Sequence, residues 1–144
     1  KNKIPNISIS CDIIVGFPGE TTEIFEEIKH NLQLLPLSFY HVFPYSIRNH
    51  TLAATLPNQI YGKTKAARVH ELTNLSARSY NYYQSTRLKQ EADVYVESKQ
   101  GEYWFGHRSD YLPVYFISET DVYGQFIPVK ITKTAQGKVF GERI

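Results

Sequence analysis

The chain has 144 residues, 42% of them apolar and 21% charged, which suits one compact domain or two small ones and excludes a largely disordered chain. Its net charge of +2 does not by itself imply a polyanionic partner. No apolar run approaches the ~18 residues of a membrane span. Cys11 is the only cysteine, which excludes an internal disulfide framework, a four-thiolate zinc site and an iron–sulfur cluster built from this chain's thiolates alone. A reducing, cytoplasmic location and no membrane partner are therefore expected. The chain has no Met and opens on Lys1-Asn2-Lys3, so it reads as a fragment of a longer protein.

Ile7–Ile13 alternates and is followed by apolar Ile14 and Val15, which predicts a strand that becomes buried on both faces, as in a parallel sheet. Gly16-Phe17-Pro18-Gly19 is turn chemistry. The next segment, Glu20 to Leu35, places Ile24, Ile28, Leu32 and Leu35 on one helical face with Phe25 beside them. Thr21 or Thr22 can cap this helix, its acidic N-terminal half suits the dipole, and Pro36 stops it. Phe39–Phe43 is a second strand, so the order is βαβ and the two strands should be parallel. A loop from Ser46 to Gln59 precedes a long helix from about Gly62 to Gln90. Between Lys63 and Glu91 six basic residues face two acidic ones, which reads either as a solvated face or as a nucleic-acid face. From Asp93 onward five short segments rich in strand formers, separated by polar or Gly-containing turns, predict a small β-barrel.

Three features bear on chemistry. The loop Val15–Thr21 lies where a parallel strand ends and a helix begins, the edge at which α/β folds bind ligands and helix N-termini attract anions. It reads equally as a tight turn that needs glycine for positive φ. It is no Walker A loop, because Gly-Lys-Ser/Thr is missing. The five histidines are scattered without metal-ligand spacing, and His41 stands in a strand with no nucleophile at an interpretable distance. The β-rich zone carries Tyr95, Tyr103, Trp104, Phe105, His107, Arg108 and Tyr111, residue types that stack on bases and pair with phosphate, or that simply fill and rim a barrel.

The run Asp12-Ile13-Ile14-Val15-Gly16-Phe17-Pro18-Gly19-Glu20-Thr21 resembles the later part of the radical-SAM barrel in methylthiotransferases. His41-Val42-Phe43-Pro44-Tyr45-Ser46, with Arg48, Thr51, Ala53 and Ala54, resembles that family's next block. Its wording is most like the branch acting on threonylcarbamoyladenosine in tRNA. The long helix and terminal β zone are similar to the family's linker and TRAM domain. The resemblance implies a fold with three parts: residues 1–60 as the C-terminal part of a TIM-like radical-SAM barrel (βαβ), 61–91 as a linking helix, and 92–144 as a five-stranded OB-like TRAM barrel that grips RNA. The implied activity is methylthiolation of C2 of N6-threonylcarbamoyladenosine at tRNA position 37, with S-adenosylmethionine and two [4Fe–4S] clusters in the full-length parent. Gly16, Phe17, Pro18, Gly19 and Glu20 would shape the S-adenosylmethionine end of the barrel. Tyr45, Ser46 and Arg48 would lie on the same rim, and Trp104, Arg108, Tyr111 and Lys130 would contact RNA.

The sequence departs from the family pattern at several points. Both sets of cluster cysteines are missing, so this chain should hold neither cluster and be catalytically silent. The usual Arg-x-Gly-Thr reads Arg48-Asn49-His50-Thr51, and Gly106-His107-Arg108-Ser109-Asp110-Tyr111 replaces the usual TRAM wording. The implied partners are the anticodon loop of tRNA, the missing N-terminal part of the enzyme, and a second copy meeting it through the exposed barrel edge. A stand-alone RNA-binding module without catalysis, and a remnant with no role, are the competing readings.

Overall fold

The first strand, β1 (Ser10–Val15), and the second, β2 (Phe39–Pro44), pair in parallel, with Asp12 opposite His41 and Ile14 opposite Phe43. Helix α1 (Thr22–Leu34) connects them, as the βαβ pattern predicts. Thr21 caps it by accepting a hydrogen bond from the Ile24 N–H at 3.3 Å. A single turn, α2 (Leu52–Thr55), interrupts the predicted loop, and α3 (Gly62–Ser85) follows. α3 ends about five residues before its predicted end. Five further strands complete the chain: β3 (Glu91–Gln100), β4 (Tyr103–Arg108), β5 (Pro113–Phe116), β6 (Phe126–Ala135) and β7 (Lys138–Arg143). The computed structural model describes residues 3–4 and 6–144. It divides into two compact units, Ile9–Tyr80, and Lys1–Ser8 with Asn81–Ile144.

In the Ile9–Tyr80 unit one face of the β1–β2 sheet is covered and the other is bare. Val15 and Tyr40 on the covered face pack with Phe25 and Leu32 of α1 and Leu72 of α3, and Cys11, Ile13 and Val42 join them. On the bare face Ile14 is 58% and Phe43 47% exposed. The buried stripe of α1 is Phe25, Ile28 and Leu32, because the large Phe25 ring turns inward. Ile24 and Leu35, expected on that stripe, are exposed. Ser76 of α3 clasps β2 by accepting from Tyr40 N–H at 2.9 Å and donating to Tyr40 O at 2.7 Å.

The other unit is a closed barrel of order β3-β4-β5-β7-β6, in which β6 pairs back onto β3. All pairs are antiparallel except β5 with β7. This is a five-stranded Greek-key barrel of the OB type. Its interior is aliphatic, with Val94, Val96, Val114, Ile127, Val129, Ile131 and Val139 buried around Phe116. Register shifts between Val96 and Ser98 and between Ile131 and Lys133 bend the long strands at the corners. Glycine is required twice where strands cross closely. A Cβ on Gly106 would run into the Tyr95 carbonyl, and one on Gly141 would lie 2.7 Å from Lys130 O.

The Tyr40 hydroxyl is buried in the βαβ core without a hydrogen-bond partner among the described residues. Burial, with a smaller contribution from Cys11, pushes its pKa up to about 12. The folded state therefore keeps this proton after the unfolded chain has lost it, and stability falls as pH rises from 10 through 12. Tyr40→Phe is expected to leave neutral-pH stability unchanged or raised, since it removes an unpartnered polar group. It should also abolish the Tyr40 share of the alkaline loss, read by denaturant unfolding at stepped pH.

Candidate functional site

Two surfaces carry side chains with chemistry, one in each unit. The first is the loop after β1. Gly16 takes a left-handed φ of +73° and Gly19 one of +87°, so the glycines meet a conformational need. The Gly16 N–H donates to both carboxylate oxygens of Glu20 at 3.0 Å. Arg68 Nη1 donates to Glu20 Oε1 at 2.7 Å and to Glu20 O at 2.8 Å. Both side chains are more than nine-tenths buried. The Arg68 guanidinium also lies 5.1 Å from the centre of the Phe25 ring. The anion expected at this βα junction is thus supplied from within, by Glu20.

Phe17 and Tyr45 meet edge to face at 5.1 Å beside this closed loop. Lys65 Nζ donates to Tyr45 O at 2.7 Å, and its stem fills the space where a Gly16 side chain would be. Tyr45 N–H donates to Val15 O at 2.8 Å, which ties the end of β2 to that of β1. The structure therefore brings Gly16, Phe17, Glu20 and Tyr45 together. Pro18 completes the turn, while Ser46 and Arg48 are exposed beyond it. His50 stands at φ +67°, adopting the left-handed conformation that the usual glycine would supply. Sequence reasoning missed Lys65 and Arg68, which had been grouped with a basic helix face.

The second surface is the outer wall of the barrel. Tyr103, Phe105 and His107 alternate outward along β4, with Tyr115 on β5 and Phe140 on β7. Ring centres are 5.1 Å apart for Phe105–His107, 5.0 Å for Phe105–Tyr115, 5.7 Å for Tyr115–Phe140 and 5.4 Å for Tyr103–Phe140. Tyr95 lies opposite His107 in the β3–β4 register and touches Phe126 at 5.1 Å. Lys138 Nζ sits 4.9 Å from the Tyr115 ring centre, and His107 Nδ1 is 2.8 Å from Glu97 Oε1. Such a band offers stacking faces beside a cation.

The four predicted RNA-contact residues are not gathered on this wall. Trp104 and Arg108 have the opposite parity on β4 and are buried. Trp104 Nε1 donates to Ser118 O at 3.4 Å, and Arg108 Nη2 donates to Gln90 Oε1 at 3.3 Å. Tyr111, at φ +60°, is 85% exposed on the turn after β4. Lys130 on β6 is exposed and lies 3.4 Å from Glu91. The basic helix face also thins out. Arg68 and Arg87 are buried and Lys65 is held at Tyr45, which leaves Lys63, Arg78 and Lys89 exposed.

Among the described residues no three His, Cys, Asp or Glu side chains converge for a metal ion, and no helix is long and apolar enough to cross a membrane. No protein-family model matches the chain. Curated proteins do match it. A threonylcarbamoyladenosine tRNA methylthiotransferase from Bacillus subtilis is 33% identical over 138 residues, 92% of this chain and 31% of that protein. A tRNA-2-methylthio-N(6)-dimethylallyladenosine synthase from Fusobacterium nucleatum is 36% identical over 146 residues, 99% of this chain and 33% of that protein. This chain is a methylthiotransferase homologue. A ribosomal protein uS12 methylthiotransferase from Clostridium perfringens, 32% identical over 146 residues, covers 98% of the homologue and is itself covered over 33%. The homologue spans about a third of the length of these relatives, and the three kinds stand at similar identity.

The Glu20–Arg68 pair makes a direct prediction. Arg68→Ala leaves a buried carboxylate held only by Gly16 N–H, and should destabilise the Ile9–Tyr80 unit by about 3–5 kcal/mol. Denaturant unfolding measures the loss, and amide exchange at Gly16 should accelerate. Adding Glu20→Ala should recover part of it, because the second change removes the stranded charge.

Proposed function

We propose that this chain is the C-terminal portion of a radical-SAM tRNA methylthiotransferase that modifies C2 of N6-threonylcarbamoyladenosine at position 37. Its own share of that work is to bind the anticodon loop. The observation that carries the reading is the aromatic outer wall of the barrel, present in a chain whose relatives are methylthiotransferases along nearly its whole length. The wall lies on β4 and β5, the second and third strands of the barrel, which is the face OB-type barrels use for oligonucleotides. Unpaired bases of a loop stack on such rings, and Lys138 meets the backbone charge. The threonylcarbamoyladenosine branch rests on the His41–Ser46 run alone, since relatives of all three kinds stand at similar identity.

The sequence bounds then assign 1–60 to the end of the radical-SAM barrel, 61–91 to the linker and 92–144 to the TRAM domain, with residues 6–8 packed in the second unit. The bare face of the β1–β2 sheet supports the first assignment. In a (β/α) barrel one face of every strand packs on helices and the other faces the barrel interior. Phe17, Tyr45 and the closed Gly16–Glu20 loop stand at the C-terminal end of these strands, where such barrels place their chemistry. They would contribute shape and apolar contact to an S-adenosylmethionine site. The residues present do not fit an iron–sulfur cluster, since Cys11 is the only thiol.

Two measurements test this reading. Phe105→Ala and Tyr115→Ala should each weaken binding of a single-stranded anticodon-loop RNA by roughly 5–100-fold, the loss of one stacked base. Tyr123→Ala, at an exposed ring outside the band, should leave binding unchanged. Wild-type binding no tighter than that of the two stacking variants would refute the proposed RNA site. Anaerobic iron–sulfur reconstitution of the 144-residue chain should give no stable cluster absorbance. A stable cluster would overturn the division of labour.

A further inference from the structure

The barrel unit also holds a cluster of buried charges that the aromatic wall does not use. Asp110 Oδ2 accepts a hydrogen bond from the Tyr83 hydroxyl at 2.9 Å and lies 3.5 Å from Arg87 Nε. Asp110 Oδ1 accepts from Leu112 N–H at 3.3 Å and lies 3.3 Å from Arg108 Nε. Arg87 stacks 4.5 Å over the Tyr83 ring and donates to Asn6 Oδ1 at 2.8 Å and Asn6 O at 3.0 Å. The side chains of Arg87, Asp110 and Arg108 are 7%, 7% and 5% exposed. Two guanidinium groups thus share one carboxylate out of water, and Arg108 Nη1 is buried with no hydrogen-bond partner among the described residues.

A buried charge without a counter-charge is costly. This one lies against a cavity of about 480 Å³, lined by Arg108 and Asp110 together with Asn6, Ser8, Ser109 and Tyr111. Glu91, the other acid on the lining, is exposed and already lies 3.4 Å from Lys130. It does not balance the interior. The lining offers hydroxyl and amide donors, and a guanidinium fork matches the oxygens of a phosphate.

We infer that this cavity binds a phosphate group, with Arg108 as the principal cation and Arg87 holding Asp110 in place. The phosphate comes from an RNA strand or from free inorganic phosphate. Only the choice of source rests on the RNA-binding reading above.

The test uses the 144-residue chain and the variant Ser109→Glu. That change puts a carboxylate at the exposed lining of the cavity and leaves the buried cluster intact. Inorganic phosphate at ten times its Kd should raise the unfolding temperature by roughly 5 °C over chloride at equal ionic strength. Ser109→Glu should abolish that rise. No difference between phosphate and chloride, or the same rise in the variant, overturns the site. If Ser109→Glu also lowers RNA affinity and flattens its salt dependence by about 0.7, one phosphate contact, the source is an RNA strand. If RNA binding is unchanged while the phosphate effect is lost, the source is free phosphate. Failure of the wild-type chain to bind RNA refutes the RNA-binding reading, and the phosphate comparison still decides this one. Arg108→Lys keeps the charge but removes the fork, so it should retain the fold and lose most of the phosphate effect.

Discussion

A barrel of five strands is narrow, and that narrowness governs most of what the second unit presents to solvent. Strand residues alternate in and out, and the inward positions carry valines, isoleucines, Phe116, Trp104, Arg108 and two glycines whose missing Cβ atoms let neighbouring strands approach. Large rings on the opposite parity have nowhere to go but outward. Tyr103, Phe105, Tyr115 and Phe140 therefore shield one another on the outside, edge to edge at 5.0–5.7 Å. The aromatic wall is the counterpart of the small core: the same closure that expels the rings also fixes their spacing. Preset spacing matters because stacking then needs little ordering of the protein on binding.

The two units treat buried charge differently. At the Gly16–Glu20 loop one carboxylate meets one guanidinium, and the remaining carboxylate capacity is taken by a backbone N–H. That site is electrically closed. Around Asp110 one carboxylate meets two guanidinium groups, and Arg108 Nη1 has neither a hydrogen bond nor an ion-pair contact among the described residues. That site is electrically open. The +2 formal charge of the whole chain conceals both situations, because a sum over the sequence says nothing about which charges are out of water.

The βαβ unit, the long helix and the five strands were legible because each rests on a local pattern: a period of two or of 3.6, with Gly or Pro between. The site residues were less so. Tyr103 and Trp104 are neighbours of opposite parity, and both are aromatic, so nothing in the run Tyr103-Trp104-Phe105 tells which one faces the core. Gly106 holds the answer, since an inward glycine fixes Trp104 and Arg108 as inward too. That constraint becomes visible only once the Tyr95 carbonyl is seen against it. Arg68 and Arg87 were misread as a basic face for a related reason. Their partners, Glu20 and Asp110, lie 48 and 23 positions away along the chain, and no local pattern links them. His50 shows the reverse case. A missing glycine cast doubt on the loop, yet histidine is among the few residues that enter the left-handed region at modest cost.

The bare sheet face carries the last step. Parallel sheets are normally covered on both sides, and two strands alone are marginal. Here α1 and α3 cover the face of Cys11, Ile13 and Val15, while Asp12, Ile14, His41 and Phe43 are exposed. Exposed Ile14 and Phe43 stand directly opposite each other, so they form a continuous apolar step and not a scattered pair. Asp12 and His41 form the adjoining polar step. The exposed face is thus apolar near the C-terminal end of the strands and polar one step below. The apolar step is out of place on a surface meant for water. The proposed place of this unit, as one wall of a larger barrel, would cover that apolar step.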